Sequence, residues 1–317
     1  MPHPRIVRPS GGCYHVVSRI CEKRWYFDSA EKEFFISTLR RLEKFLDVRV
    51  LTYCVMSNHF HLLLEVPGPG EVVQLTPDSL KARLPLLYRA QALAAARDEI
   101  DRALAYANTP TGTSRWIDEI VARYQARLGN LSVFLKELKW RFSRWYNGNH
   151  DRVGALWEDR FRSVLVEGDE HALMTIAAYV DLNPVRGKIV TDPKDYRWSG
   201  YGEAVAGRKL ARQNLARMHG RMRSWQREGR PPVTWREVGS AYRRYLFGQG
   251  EQRLGDGITG KGSRPGIDGK QVAEVVDKEN GELPLSEALR CRVRYFTEGA
   301  AIGCPEFIEG VFEEFRL

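Results

Sequence analysis

The stretch Val48-Arg-Val-Leu-Thr-Tyr-Cys-Val-Met-Ser-Asn-His-Phe-His-Leu-Leu-Leu-Glu-Val66 reads as two short strands joined by a turn. Val48 to Met56 is rich in β-branched residues, Ser57 and Asn58 are turn formers, and His59 to Val66 is apolar again, which predicts an antiparallel hairpin. Upstream, a helix runs from Asp28 or Ser29 to about Leu46, with Phe34, Phe35, Thr38, Leu39, Leu42, Phe45 and Leu46 on one face and acidic residues in its first turn. Before it, Tyr14 to Arg19 is a strand that follows the turn residues Gly11 and Gly12. The opening is therefore βαββ.

Pro67, Gly68, Pro69 and Gly70 end that unit, and an Ala-rich, mostly helical insertion follows from about Ser79 to Arg127. The next helix, Leu131 to Asn147, carries Phe134, Leu135, Leu138, Phe142 and Tyr146 at spacings of three and four, a buried stripe. Trp157 to Val166 is a strand. Asp169 caps a helix that reaches about Leu182 and is stopped by Pro184, because the residue before proline avoids helical geometry. The order βαββαβα predicts an α+β, ferredoxin-like sandwich, an antiparallel sheet with helices on one face. Beyond it, helices are expected at about Arg208 to Arg227 and after Thr234-Trp-Arg-Glu237, which fits a capping box, with a break at Pro231 and Pro232. Nine glycines between Gly248 and Gly281 mark a linker, and the last 35 residues, from Leu283, read as a small helical module. The domains are thus 1–205 with the insertion at about 70–130, a basic helical extension at 206–247, a linker at 248–282 and a module at 283–317.

The 317 residues include 49 basic and 40 acidic side chains. Between Ala206 and Phe247 lie eleven basic residues (Arg208, Lys209, Arg212, Arg217, Arg221, Arg223, Arg227, Arg230, Arg236, Arg243, Arg244) against Glu228 and Glu237, so this stretch holds the whole excess of +9. A polyanion partner is implied for one region, nucleic acid first, although a solvated basic helix has the same composition. A second basic group, Lys139, Arg141, Arg144, Arg152, Arg160 and Arg162, is interleaved with Trp140, Phe142, Trp145, Tyr146, Trp157 and Phe161. Charge that follows phosphates beside rings that stack on bases suits single-stranded nucleic acid, yet half of these rings also suit a core. No apolar run approaches the roughly 18 residues of a membrane span, and no signal-peptide pattern opens the chain, so a cytoplasmic protein without a membrane partner is expected. The five scattered cysteines (Cys13, Cys21, Cys54, Cys291, Cys304) form no CxxC pair and support neither disulfides nor a zinc ribbon.

His59 and His61 alternate on one strand, so both imidazoles project from one face, about 7 Å apart at Cα. Two such rings can share a divalent cation if an oxygen ligand completes the set, and an amide or carboxylate oxygen suits Mg²⁺ or Mn²⁺. They equally suit two half-exposed strand residues. Tyr179 and Asn183 lie at i, i+4, which brings a hydroxyl and an amide oxygen to one helix face. A metal beside the phenol would make it a nucleophile towards phosphate, with Asn183 completing the metal shell. On spacing alone, an ordinary helix tyrosine and a helix stop at Asn183-Pro184 explain the pair as well.

Taken in order, Tyr14-His-Val-Val-Ser-Arg19, Met56-Ser-Asn-His-Phe-His-Leu-Leu-Leu64, Leu156-Trp-Glu-Asp-Arg-Phe161 and Ala178-Tyr-Val-Asp-Leu-Asn-Pro-Val-Arg186 resemble the single-tyrosine HUH transposases, especially the REP-associated tyrosine transposases. The resemblance covers roughly residues 11 to 205. It implies an HUH nuclease fold that binds single-stranded DNA with hairpins or palindromic repeats and cleaves it with Mg²⁺ or Mn²⁺. It gives His59 and His61 to the metal, Tyr179 to attack on the phosphate with a 5′-phosphotyrosine intermediate, and Asn183 to the place of a third metal ligand. The product would keep a free 3′-hydroxyl, and reversal would rejoin strands. Such a protein works on the nucleoid, as a homodimer in some relatives and a monomer in others.

His15, Arg19, Arg160 and Arg162 are candidates for phosphate contacts because short strands bring them to one sheet surface, and Arg141, Arg144 and Arg186 join them as DNA-binding candidates. Tyr14, Tyr53, Tyr146, Tyr196 and Tyr201 compete with Tyr179. Tyr146 is the best rival, but its i+4 residue is His150, with no oxygen ligand. The inserted segment is longer than in compact relatives, which leaves gating of the site or DNA contact as its roles. Two other readings stand beside the enzyme: a catalytically inactive, regulatory hairpin-binding protein, which would bind in a salt-sensitive way without cleaving, and an RNA-processing factor, which would prefer substrates with 2′-hydroxyls.

Overall fold

A computed structural model describes residues 6–21, 27–219, 235–251, 266–278 and 301–315. The sheet is built from β1 (Gly12–Arg19), β2 (Arg49–Val55), β3 (His59–Val66), β4 (Arg162–Val166) and β5 (Ala301–Ile302), in the order β2-β3-β1-β4-β5. Its first four strands are antiparallel, the arrangement of a ferredoxin-like βαββαβ unit, and β5 joins β4 in parallel. The protein is α+β, as the element order predicts.

The two crossover helices, α1 (Ser29–Leu46) and α5 (Leu131–Asn149), share one face of the sheet. Helix α1 starts where the sequence places it. Asp28 accepts from the Ala30 and Glu31 amides while Glu31 accepts from the Asp28 amide, a reciprocal cap. Phe35, Leu39, Leu42 and Phe45 then bury against Tyr14, Val16, Phe60, Leu62 and Leu64 of the sheet and against Phe134, Leu138 and Phe142 of α5. Removing one of these rings, Phe35→Ala for example, would cost about 3–5 kcal/mol.

The inserted segment folds as α2 (Pro77–Arg83), α3 (Ala90–Ala107) and α4 (Arg115–Gln125). Leu80, Leu84, Ile100, Ile117 and Tyr124 belong to the same apolar cluster as α1 and α5. The insertion therefore thickens that layer.

The other face is covered as well, an addition to the one-sided sandwich that the element order suggests. Its helices are α6 (Glu170–Asp181), α7 (Asn183–Arg186), α8 (Gly200–Val205), α9 (Lys209–His219) and α10 (Trp235–Gly250). They bury Cys13, Leu51, Cys54, Leu63, Val164 and Val166, the alternate side chains of the same strands. Asp169 caps α6 by accepting from the Ala172 amide. Pro184 is less a stop than a start: it stands at the second position of the short α7, where its missing N–H costs nothing.

Two sequence expectations need correction. The strand expected at Trp157–Val166 begins only at Arg162, because Glu158 to Phe161 bend away and Trp157 keeps a single bridge to Ile20. The stretch read as a linker holds α11 (Gly269–Lys278) and a bridge between Glu251 and Ile267, and the C-terminal module contributes β5 besides its helix α12 (Pro305–Phe315). The Pro231-Pro232 break, Thr234, and Arg221, Arg223, Arg227 and Arg230 lie outside the described residues. Among the described residues no helix is long and apolar enough to cross a membrane.

Candidate active site

Strand register places the site. On β1 and β3, Val17 pairs with His61 and Arg19 with His59, and on β4 Arg162 pairs with Val17. Cys13 of β1 and Leu63 of β3 pack on the α6 side, so strict alternation puts His15, Val17 and Arg19 with His59 and His61 on that same face. Helix α6 lies across it and lowers Tyr179 onto the histidines. The Tyr179 ring centre is 5.5 Å from that of His61 and 5.6 Å from that of His15, edge-on to both. The two residues that sequence spacing pairs with a metal and with a nucleophile thus meet, although 118 positions separate His61 from Tyr179.

Both motif histidines are oriented by a partner. Nδ1 of His59 lies 2.6 Å from Oδ1 of Asn58, and Nδ1 of His61 lies 3.1 Å from Nε2 of His15. An amide oxygen only accepts, so His59 carries its proton on Nδ1 and keeps the Nε2 lone pair. With Nδ1–H of His61 donating to His15, its Nε2 is an electron-pair donor too. Burial, with help from the Arg19 charge, lowers the His59 pKa to about 4, and burial with the neighbouring His59, His15, Arg19 and Arg186 holds His61 well below the ordinary imidazole range. Both rings are neutral at physiological pH, the state a metal ligand needs.

Asn183, the first residue of α7, donates its Nδ2 to the Tyr179 carbonyl at 2.8 Å and the Val180 carbonyl at 3.2 Å. The amide nitrogen is committed to the helix end, which leaves the oxygen for another partner. Two neutral imidazoles and an amide oxygen fit a divalent cation that keeps some of its water. Among the described residues no group of three or more His, Cys, Asp or Glu side chains comes together for a metal; His59, His61 and Asn183 remain the candidate set that the sequence reading gives.

Arg186, also on α7, sets its guanidinium 5.1 Å from the Tyr179 ring centre and donates to the Tyr179 carbonyl at 3.3 Å. Arg19 and Arg162 are exposed at the same end of the sheet, and Arg160 is exposed in the bend before β4. Other expected DNA contacts fall elsewhere. His15 is 1% exposed and is engaged with His61 and Tyr179, which makes it a support for the site and no surface phosphate contact. Arg141 pairs with Glu137 and the Leu87 carbonyl, and Arg144 lies over Trp140, both on α5 beyond the opposite face of the sheet. The insertion sits in that same layer and does not cover Tyr179.

The rival tyrosines are buried structural residues. Tyr14 accepts from the Arg8 amide, Tyr53 donates to Glu203, Tyr196 donates to the Val55 carbonyl and Tyr146 stacks on His150. Burial raises the phenol pKa of Tyr14, Tyr53, Tyr196 and Tyr201, the last to about 12. Sequence reading missed Asn58 and Asp181. Asp181 is wholly buried, accepts from Thr52 and the Tyr201 amide, and receives the Tyr242 hydroxyl at 2.6 Å. Burial pushes its pKa up to about 7 in spite of these donors. A carboxylate at the C-terminal end of an otherwise apolar helix, the end that favours cations, was the available signal.

The match to one family model agrees with the motif reading over part of the chain. Residues 10–84 match the family model described as transposase IS200 like, a segment that contains β1, α1, β2 and β3 with both histidines. Among solved structures, one described as the structure of the REP-associated tyrosine transposase bound to a REP hairpin is similar, at 12% identity and a TM-score of 0.40, over 65% of this chain and 87% of that one. No curated protein matches.

Proposed function

We propose that the protein is a divalent-metal-dependent endonuclease and strand transferase for single-stranded DNA, acting at hairpins or palindromic repeats with Tyr179 as nucleophile. The observation that carries this reading is the convergence of Tyr179 with His61 and His15 beneath one helix. The similarity of residues 10–84 to IS200-like transposases supports it.

The phenol oxygen of Tyr179 attacks a backbone phosphorus. The P–O3′ bond breaks, the 5′-phosphate stays on the tyrosine, and the phenol proton ends on the released 3′-hydroxyl. Attack of a 3′-hydroxyl on the phosphotyrosine reverses the step and joins strands with no net change in bond type. His59, His61 and Asn183 would hold Mg²⁺ or Mn²⁺, which when bound polarises the attacked phosphate and favours the phenolate. Asn58 and His15 orient the two imidazoles. Arg186 places a positive charge beside the ring where the phenolate develops, worth most in a site shielded from water. Arg19, Arg160 and Arg162 offer exposed charge for the strand entering at the open end of the sheet. Such an enzyme belongs with chromosomal DNA in the cytoplasm.

The test is incubation of the purified chain with Mg²⁺ or Mn²⁺ and labelled single-stranded hairpins taken from repeats flanking its gene. A covalent adduct on a denaturing gel, mapped by mass spectrometry to Tyr179 and lost in Tyr179→Phe, is expected. Tight, salt-sensitive binding with no adduct at either metal would favour the regulatory DNA-binding reading instead.

A further inference from the structure

The basic C-terminal extension reads in sequence as an appendage that follows the catalytic unit. In the fold, its helix α10 is laid along α6. Tyr245 meets Thr175 through their hydroxyls at 3.0 Å, and one turn earlier on α10 Tyr242 reaches Asp181 at 2.6 Å. At the end of α10, Gly250 approaches Leu182 so closely that an added Cβ would lie 2.9 Å from a Leu182 methyl. Arg243 forks onto Asp192, in the segment that follows α7, with contacts of 2.7 and 3.1 Å. The extension is fastened before, at and after the turn that carries Tyr179.

Asp181 is the centre of this arrangement. Its neighbours on α6 turn 100° per residue, so a carboxylate at 181 points away from the face that bears Tyr179 and Asn183. It is met there from three elements: Thr52 of β2, the amide of Tyr201 on α8, and Tyr242 of α10. Thr52 can reach it because a bulge at Val50–Thr52 turns both Leu51 and Thr52 towards α6, where strict alternation would send Thr52 to the α1 side. A fully buried carboxylate tied to three separate elements fixes the rotation of its helix turn, since rotating it would strip hydrogen bonds that no water replaces.

We infer that Tyr242, acting through Asp181, is a positioning residue that sets the rotation of the α6 turn presenting Tyr179 to the histidines, so the extension is part of the catalytic apparatus. The inference rests on the proposed role of Tyr179 for its functional consequence, and its structural part stands independently.

Hydrogen exchange on the full chain, without DNA, tests the structural part. In Tyr242→Phe, which removes only the hydroxyl, peptides covering 178–183 are expected to exchange at least about tenfold faster, while β1 and β3 peptides keep their protection. Unchanged exchange at 178–183, or an equal loss across the sheet, would overturn the inference. Thr52→Val, which removes the donor from the opposite side, supplies the same reading if Tyr242→Phe fails to fold. With a labelled hairpin and Mn²⁺, the adduct rate at saturating DNA should fall at least about tenfold while the hairpin Kd stays within twofold. If the wild-type chain forms no adduct, the nuclease reading fails, and the exchange result still decides the clamp.

Discussion

Nε2 of His15 and Nδ1 of His61 are 3.1 Å apart, with the two rings within 7° of parallel, and they are diagonal neighbours on β1 and β3. A histidine of the first sequence motif therefore braces one of the second. His15→Leu should weaken Mn²⁺ binding about 10–100-fold, the usual cost of losing such an outer partner. Calorimetric titration of Mn²⁺ into the apo protein reads it directly, and an unchanged Kd would mean that His61 holds its orientation alone. Asn58→Ala is the matching change at His59.

Asn183 donates to the helix end and is proposed as a metal ligand, two roles that substitution can separate. Asn183→Asp keeps an oxygen ligand but loses the donor to the Tyr179 and Val180 carbonyls, and Asn183→Ala loses both. Mn²⁺ affinity is expected to survive in the first and fall at least about tenfold in the second, because hard cations select oxygen donors. Equal affinity in the alanine variant would remove Asn183 from the ligand set.

Most of the sheet was legible from the hairpin stretch outward, because alternation and turn residues are local signals that the packing confirms. That His61 and Tyr179 belong to one site was likewise expected from the motifs taken in order, and their rings meet. What sequence spacing could not supply was direction through space. His15 stands in a strand beside Arg19 and reads like another DNA contact, yet strand pairing turns it inward against His61. Arg141 and Arg144 share a basic-aromatic segment with Arg162, but α5 and β4 carry them to different sides of the sheet. The bond from Tyr242 to Asp181 spans 61 positions and two elements of unrelated pattern, so no periodicity announces it.

Gly200 leaves no room for a side chain. A Cβ there would lie 2.2 Å from Oγ1 of Thr52, the atom that donates to Asp181. Gly200→Ala should destabilise the fold by about 1–3 kcal/mol through overpacking, seen as a lower urea midpoint at constant slope. A variant of wild-type midpoint would show that β2 can yield without cost.

Acid should loosen the attachment of α10. Burial raises the Asp192 pKa, but hydrogen bonds from Arg243 and Lys194 outweigh it and leave the carboxyl below its ordinary value. The native state therefore binds fewer protons than the unfolded chain near the ordinary aspartate value of about 3.9. This contribution is complete above that pH and disappears as pH falls through the native value. Thermal melts of the wild type and Asp192→Asn from about pH 6 downwards should show a gap that narrows in acid. A gap that stays constant with pH would place the stabilisation elsewhere.

Ala301 and Ile302 pair with Leu165 and Val166, and the Glu167 amide adds a bond to the Ile302 carbonyl at 2.7 Å. Ala301 and Ile302 thus cover the outer margin of Leu165 and Val166, while the uncapped remainder of β4 begins with the charged Arg162. An unpaired, apolar strand margin is a template for the strand of another molecule. A chain cut before residue 301 should therefore leave the Leu165–Val166 margin unpaired and self-associate more readily, with loss of solubility at rising concentration as the sign.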